Sequence, residues 1–169
     1  MFISCEGNQQ SIVQPSNCND EECCEFGFSE GLQQECLPSE FLFYITTLSA
    51  GYIFENIEIS FPEGNVAIKS SNCQEYNDCD WVGAFNGDVC VGATQWNTDD
   101  CLNGICSISV MGNDFQNTTP DSYMEPGEYP TFKIYDVSEN IYYDTMDLDD
   151  NYPWGYQAIH AIPLLLGQP

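Results

Sequence analysis

The fold is decided by the stretch Asp80-Trp-Val-Gly-Ala-Phe-Asn-Gly-Asp-Val-Cys-Val-Gly-Ala93. At its centre lies Asn86-Gly87, a dipeptide preferred in two-residue type I′ turns because both central residues of such a turn need positive φ. The stretch therefore predicts a β-hairpin over residues 81–95. With that turn, the facing pairs are Phe85 with Asp88, Gly83 with Cys90, and Trp81 with Gly92.

Both faces of the predicted hairpin are largely apolar. One face carries Val82, Ala84, Val89, Val91 and Ala93, and the other carries Trp81, Phe85 and Cys90 around two glycines. A tryptophan ring packed over a facing glycine fills the space that the missing side chain leaves on the sheet, so we expect Trp81 to cover Gly92. This pattern indicates a central hairpin that is buried on both sides. The alternative is an ordinary sandwich core with one half-exposed aromatic face.

Short apolar runs on either side of the hairpin predict further strands. They lie at about 41–46, 52–54, 57–61, 66–68, 105–111, 131–135 and 141–143. Gly51, Pro62-Glu-Gly64 and Ser138-Glu-Asn140 supply turn signals between them. No segment shows a sustained helical period. About seven to nine strands with regular turns predict an all-β fold, an antiparallel β-sandwich of immunoglobulin-like or jelly-roll-like type.

The chain divides by composition into three parts. Residues 1–38 form a cysteine-rich N-terminal segment, residues 39–157 form the predicted sandwich, and residues 158–169 form an apolar C-terminal strand. Aromatic and aliphatic residues are frequent enough to build a core despite the acidity of the chain.

Charge is the most unusual property of the composition. Lys69 and Lys133 are the only basic residues besides one histidine, against 27 Asp and Glu, and the formal net charge is -25. Most carboxylates must therefore be solvated, bound by backbone amides, or neutralised by cations. Like charge repels nucleic acid and anionic membrane surfaces, so neither is expected as a partner. No apolar run reaches the length of a membrane span.

Ten cysteines indicate disulfides and an oxidising compartment. A metal–thiolate site is the rival interpretation, but the chain has no C-x-x-C pair and only His160 as a further ligand. Cys73 and Cys79 are spaced to close a short loop, and so are Cys101 and Cys106. The pairing of the others does not follow from the sequence.

Together with Pro130-Thr-Phe-Lys-Ile-Tyr-Asp136, the hairpin resembles β-sandwich modules of secreted and surface proteins of environmental bacteria. In those modules a VGAF hairpin ending in C-x-G precedes a P-x-F-K-I-Y-D strand. The resemblance covers about residues 40–157. It implies secretion and an all-β fold, and it assigns no catalytic residue. The first residues lack the basic and apolar regions of a signal peptide, so we expect that a leader has been removed.

Two modifications or ligands are suggested by local patterns. Asn117 begins an N-glycosylation sequon in a polar loop. Asp147, Asp149, Asp150 and Asn151 form an oxygen-rich cluster that predicts a Ca²⁺ site, although it does not match the EF-hand pattern. The alternative is a solvated acidic loop.

Apolar material at both termini predicts assembly. The residues are Phe2, Ile3, Ile12 and Val13 near the N-terminus, and Ile159, Ile162, Leu164, Leu165 and Leu166 near the C-terminus. A strand lent to the next copy, head to tail, would build a filament. The alternative is that the tail completes the sandwich of its own chain. Pro163 favours a sheet edge or the end of a strand.

Sequence support for catalysis is weak, because a triad would depend on His160 in the apolar tail. Trp96, Tyr123, Tyr129, Tyr152, Trp154 and Tyr156 are candidates for a sugar-binding platform, with packing at the edge of the core as the favoured interpretation. The predicted function is a non-enzymatic extracellular or cell-surface structural protein that binds copies of itself. The alternative is a calcium-dependent carbohydrate-binding or adhesive module that binds glycans.

Overall fold

The computed structural model describes residues 38–73, 78–114, 122–148 and 151–169. Within them the chain forms two 3-10 helices, Ser39–Phe41 and Leu102–Gly104, and ten strands. The strands are β1 (Ser49–Phe54), β2 (Ile57–Phe61), β3 (Gly64–Ala67), β4 (Trp81–Asn86), β5 (Val89–Gln95), β6 (Ser107–Met111), β7 (Thr131–Asp136), β8 (Ile141–Thr145), β9 (Ile159–Ile162) and β10 (Leu165–Gln168).

These strands form two sheets. The smaller is three-stranded with the order β6-β1-β9, and the larger is seven-stranded with the order β3-β2-β10-β8-β7-β4-β5. The predicted all-β sandwich is confirmed. Both sheets are mixed, however, because β9 is parallel to β1 and β10 is parallel to β2. The other strand pairs are antiparallel, as predicted.

Two short connections, or corners, which lie next to each other, join the two sheets. The chain passes from β1 to β2 through Glu55 and Asn56, and from β9 to β10 through Pro163 and Leu164. The Asn56 side-chain amide donates to the Pro163 carbonyl at 3.2 Å and ties the two corners together. On the opposite side β5 lies against β6, where a Cβ on Gly92 would overlap the Ser109 carbonyl. The strands therefore wrap around one core.

The predicted C-terminal strand is two strands, one in each sheet. β10 lies between β2 and β8, and its Leu165 is fully buried, while Ile162 at the end of β9 is also buried. Pro163 lies between the two strands, as expected for a residue that cannot donate to a ladder. In this single chain the tail therefore completes its own sheets, which was the alternative to a lent C-terminal strand.

The hairpin of β4 and β5 exists, but its predicted register is wrong. Phe85 faces Cys90 and Asn86 faces Val89, so that Gly87 and Asp88 form the turn. Among the described residues of this turn only Gly87 has positive φ, at 59°. A type I′ turn needs two such residues, and the chain reaches the observed register through an irregularity between Ala84 and Phe85.

Three other local predictions also need correction. Residues 42–48 form no strand, because Phe41 turns away onto the outer surface of the larger sheet. Gly51 lies inside β1 and does not form a turn. The ring that covers a hairpin glycine is Phe41 over Gly83, whereas Trp81 faces Gln95.

The core has two clusters on opposite faces of the larger sheet. The main cluster lies between the sheets and includes Val82, Ala84, Phe132 and Ile134. The second cluster lies on the outer face and contains Phe41, Trp81, Phe85 and Cys90. Alternation along β4 explains the division, because successive side chains point to opposite faces. β4 is therefore buried on both sides, but β5 is the last strand of the larger sheet and is partly exposed, so the prediction of a central hairpin holds for β4 alone.

The two short-range disulfides predicted from spacing are confirmed. Cys73 pairs with Cys79 and Cys101 pairs with Cys106. Among the described cysteines Cys90 remains as a free, buried thiol. Apart from Pro38, the predicted N-terminal segment lies outside the described residues.

Gly83→Ala is expected to lower the free energy of unfolding by about 1–3 kcal/mol through overpacking. The added Cβ would lie 2.6 Å from Cε1 of Phe41. In a Phe41→Ala background the same change should cost less than about 0.5 kcal/mol, because the two positions couple through one contact. Urea unfolding of the four proteins measures this coupling.

Gly155→Ala is the matched control for this cycle. Its Cβ would have Ala158 Cβ, at 3.8 Å, as its nearest neighbour, so the change should be nearly neutral. Equal losses from Gly83→Ala in both backgrounds would contradict the proposed contact.

Candidate functional site

The three-stranded sheet carries no charged residue. β1, β6 and β9 contain no Asp, Glu, Lys or Arg, whereas the larger sheet contains Glu58, Lys133, Asp136 and Asp144. We call the smaller sheet the neutral sheet. On a chain with a net charge of -25, a strand layer without charge is a distinct surface.

The outer face of the neutral sheet is built from small and aliphatic residues. In one row across the sheet Ser109 faces Gly51, which faces Ile159. In the next row Ser107 faces Ile53, which faces Ala161. Ser107, Ser109, Ile159 and Ala161 are exposed, so these rows are open to solvent or to another molecule.

Among the described strands, β9 is an open edge of the neutral sheet, since it pairs only with β1. The amides of Gly51 and Glu55 donate to the carbonyls of Ala158 and Ile162. Backbone groups alternate along a strand, so those of Ile159 and Ala161 point away from β1. The Ile159 side chain is 74% exposed beside them.

The larger sheet also has an open edge, but it is differently composed. Among the described strands β3 pairs only with β2. Val66 on β3 is 56% exposed, and Glu58 and Glu63 lie on or next to this strand pair. Charged residues on an edge strand oppose pairing with a further strand. No such residue lies on β9, since residues 151–169 contain no Asp, Glu, Lys or Arg.

The predicted assembly residues fall into three groups. Ile162 and Leu165 are in the core, and Leu166 is half-buried in β10. Ile159 and Leu164 are exposed, at the edge strand and at the corner that follows it. Phe2, Ile3, Ile12 and Val13 lie outside the described residues.

The described residues alone form no complete calcium site. Asp147 and Asn151 are exposed, and Asp149 and Asp150 lie outside the described residues, as does Asn117. In the described part of the chain no three His, Cys, Asp or Glu side chains are grouped so that they could hold a metal ion. The Ca²⁺ site and the glycosylation site remain predictions.

Several described carboxylates are bound by backbone amides, one of the outcomes that the shortage of cations predicts. Asp80 accepts from the Lys69 amide at 2.7 Å and from the Val137 amide at 3.0 Å. Asp114 accepts from the Thr47 amide, and Asp99 accepts from the Asn72 amide. A carboxylate that accepts from backbone N–H groups forms charge-assisted hydrogen bonds without a cation.

Asp80 is the buried member of this set. Its backbone also bonds to Lys69 and Trp96, so this residue joins three chain segments at one end of the larger sheet. Burial raises the pKa of its carboxyl above the ordinary value of 3.8, although the two amides oppose that shift. The nearby Asp136 raises the pKa further.

Lys133 is the one described lysine for which ion pairs are seen. Its ammonium lies 2.9 Å from Glu40 and 3.7 Å from Asp144, and 5.2 Å from the centre of the Phe85 ring. The hydrogen bond from Lys133 to Glu40 raises the lysine pKa. This contact holds the chain next to Phe41 against the larger sheet.

Three rings of the predicted sugar platform are buried. Trp96, Tyr123 and Trp154 belong to the main core cluster, and the Trp154 indole donates to the Val110 carbonyl at 2.9 Å. Because these rings are buried, they cannot stack on a ligand. They pack in the core, which was the favoured interpretation. Tyr152 is half-buried, and Tyr129 and Tyr156 are exposed.

His160 is held by packing. Its Nε2 lies 2.9 Å from the Pro153 carbonyl, and its ring lies 4.8 Å from that of Tyr52. No side-chain carboxylate or hydroxyl is seen in hydrogen-bond contact with it among the described residues. This arrangement orients β9.

None of the known protein families, curated proteins or solved structures matches this chain. The resemblance to secreted bacterial modules therefore remains a prediction. None of the helices in the described residues is long and apolar enough to cross a membrane.

The neutral sheet was missed by the sequence analysis, although its signal is present. Residues 41–54, 101–113 and 151–169 contain no charge, and each supplies one strand of that sheet. The signal becomes visible only when the topology places these three separate stretches next to one another.

Asp80→Asn is expected to make stability less dependent on pH. A raised pKa in the folded state means that the folded protein binds more protons than the unfolded chain above pH 3.8. The stability of the wild type should then fall relative to the variant as the pH rises from 3.8 through the raised pKa. Denaturant unfolding at several pH values measures this difference.

Asp88→Asn removes one negative charge from the exposed hairpin turn and corrects for the change in net charge. The contrary result is a wild-type free energy of unfolding that exceeds that of Asp80→Asn by an amount that grows with pH. It would show that the two backbone amides outweigh burial in setting the pKa of Asp80.

Proposed function

We propose that this protein is a non-enzymatic, secreted structural protein, the subunit of an extracellular filament or surface assembly whose subunits are joined by strand exchange. The observation that carries the proposal is the neutral sheet with its open β9 edge. An anionic chain has few surfaces on which a second copy can dock. This sheet offers backbone hydrogen bonds, exposed apolar side chains and no like charge in one place.

Electrostatics favours this surface over the rest of the molecule. Copies with a net charge of -25 repel one another, and screening at physiological salt acts over about 8 Å. Contact across a charged face would bring carboxylates within that distance. Contact across the neutral sheet keeps them at its margins, where divalent cations relieve the remaining repulsion.

The open edge supports strand addition as the mode of contact. An extended segment that pairs with β9 would satisfy the outward backbone groups of Ile159 and Ala161. The exposed Ile159 side chain would be buried in the same step. β3 supports such pairing less well, because Glu58 and Glu63 lie beside it.

The N-terminal segment is the donor in this proposal. Since β9 and β10 occupy the chain's own sheets, the apolar pairs Phe2-Ile3 and Ile12-Val13 are the remaining candidates from the sequence. A strand given by one copy and received by the next is a heterologous contact, which builds a filament when the rotation does not close.

The proposed location rests on cysteine chemistry. Two disulfides are present in the described residues, and disulfides persist in oxidising compartments. High negative charge keeps finished assemblies apart from one another.

Ile159→Glu is expected to weaken association about ten- to hundredfold. It removes the burial of one isoleucine, worth about 1.5–3 kcal/mol, and adds a charge to the neutral sheet. Light scattering over a concentration series and electron microscopy measure the effect. The folded monomer should be unaffected, because Ile159 is exposed within it.

Val66→Glu is the matched control, since it adds the same charge to an exposed position of the other edge strand. Equal loss of assembly in both variants would point to net charge alone. Unchanged filaments in Ile159→Glu would exclude β9 as the receiving edge.

Two paired variants test the donor. One of the two double substitutions should abolish filaments, because a charged strand cannot bury its side chains at β9. The two are Phe2→Asp with Ile3→Asp, and Ile12→Asp with Val13→Asp. Thermal unfolding checks that the monomers remain folded. Filaments that persist in both pairs would remove the N-terminal segment from the mechanism.

A further inference from the structure

The outer face of the larger sheet carries an apolar cluster, which we call the outer aromatic face. It consists of Phe41, Trp81, Phe85 and Cys90, all buried, with Tyr135 and Tyr142 packed at its margin. The Phe41 ring lies 5.9 Å from the Phe85 ring and 5.4 Å from the Tyr142 ring. A buried cluster on the outside of a sheet needs chain to cover it.

The described chain begins on this face. The 3-10 helix Ser39–Phe41 lies against β5, the strand that carries Cys90. Phe41 is fully buried over Gly83, and Glu40 is fixed by Lys133. The described chain therefore begins beside β5, in the same cluster as Cys90.

Cys90 is an unusual residue in this position. It is the described cysteine without a disulfide, it is 5% exposed, and its thiol donates to the Gly92 carbonyl at 3.5 Å. Burial raises the pKa of the thiol to about 12. The thiolate is therefore scarce in the folded state, and any oxidation of Cys90 must occur before this face closes.

The number of cysteines supplies an independent observation. Residues 1–37 contain five cysteines, at positions 5, 18, 23, 24 and 36. Five thiols cannot all pair among themselves. The four other described cysteines already form two disulfides, so one thiol of the segment and Cys90 are left over.

We propose that the part of the N-terminal segment next to Pro38 covers the outer aromatic face of the same chain and that Cys36 forms a disulfide with Cys90. Cys36 precedes the 3-10 helix by three residues, which span at most about 11 Å. Because this helix contacts β5 and its Phe41 packs in the same cluster as Cys90, so short a tether allows the Cα separation of about 4.4–6.8 Å that a disulfide needs. Among the five cysteines Cys36 has the shortest tether and so the lowest cost of loop closure.

The remaining four cysteines of the segment, at 5, 18, 23 and 24, then pair with one another. In forming the Cys36–Cys90 bond, two thiols lose two protons and two electrons. A small-molecule or protein disulfide accepts them and is reduced to two thiols by exchange. The inference requires an oxidising compartment and does not require that the protein assembles.

Disulfide mapping on the monomeric fraction of the wild type tests the proposal. The protein is unfolded in denaturant without reductant, alkylated with N-ethylmaleimide, digested and analysed by mass spectrometry. We expect a linked peptide pair that contains Cys36 and Cys90, and no alkylated cysteine. Alkylated Cys90, or Cys90 linked to a different cysteine, would overturn the assignment.

Matched variants locate the bond. Cys36→Ser should leave a single thiol, on Cys90, which reacts only after denaturation. Cys101→Ala is the control, because it should free Cys106 and leave Cys90 protected. An alkylated Cys90 in the control as well would contradict the pairing.

Isotope mixing separates the same chain from a second copy. Light and heavy-nitrogen proteins are unfolded, reduced, mixed and reoxidised together. Linked peptides of uniform isotope are expected, and mixed pairs would show that Cys36 comes from a neighbour. Since the mapping uses monomers and the filament assay uses microscopy, each proposal can fail without the other.

Discussion

The structure depends on how an anionic chain with almost no cations satisfies its carboxylates. Asp80, Asp99 and Asp114 accept from backbone amides, at chain ends and turns where N–H groups are free of the sheet ladders. These three carboxylates lie outside the strands, whereas the larger sheet also carries Glu58, Asp136 and Asp144 within its strands. The strands of the neutral sheet contain no charge, and the single described lysine with ion pairs, Lys133, holds one entering segment in place.

The C-terminal residues give the two sheets their common core. β9 and β10 run parallel to β1 and β2, so that one apolar tail contributes to both sheets across a single corner. Leu165 and Ile162 need this burial, since an exposed apolar tail would aggregate. The same placement makes β9 the last strand of its sheet, with Ile159 outside. An open edge is therefore a direct consequence of how the tail is buried, and it is uncharged because the tail is uncharged.

Local signals in the sequence predicted local structure well. The hairpin, the turn after β2, the hairpin of β7 and β8 and the two short disulfide loops depend on neighbouring residues, and all are present. The register of the first hairpin and the turn at Gly51 were wrong although their signals are local, and the other errors concern choices that distant residues make. Phe41 leaves its predicted strand because Gly83, far along the chain, provides the space for its ring. Parallel pairing of β9 with β1 has no local signature, and the neutral sheet is assembled from three separate uncharged stretches. Half of the predicted calcium cluster and the N-terminal assembly residues lie outside the described residues.

The two proposals place different demands on one segment. A strand donated to a neighbour transmits tension on the filament to the end of the donor segment, next to Pro38. There Glu40 is held by one ion pair and Phe41 is held by packing. An exposed ion pair contributes about 0–1 kcal/mol, and removal of a buried aromatic ring costs about 3–5 kcal/mol. Those contacts alone would let the segment peel from the sheet and expose Trp81 and Phe85. A covalent bond from Cys36 to Cys90 would move the load onto β5 and leave the residues before it free to pair elsewhere. A disulfide between Cys36 and Cys90 and a strand donated by residues nearer the N-terminus are therefore compatible. The disulfide would carry the tension on the donated strand.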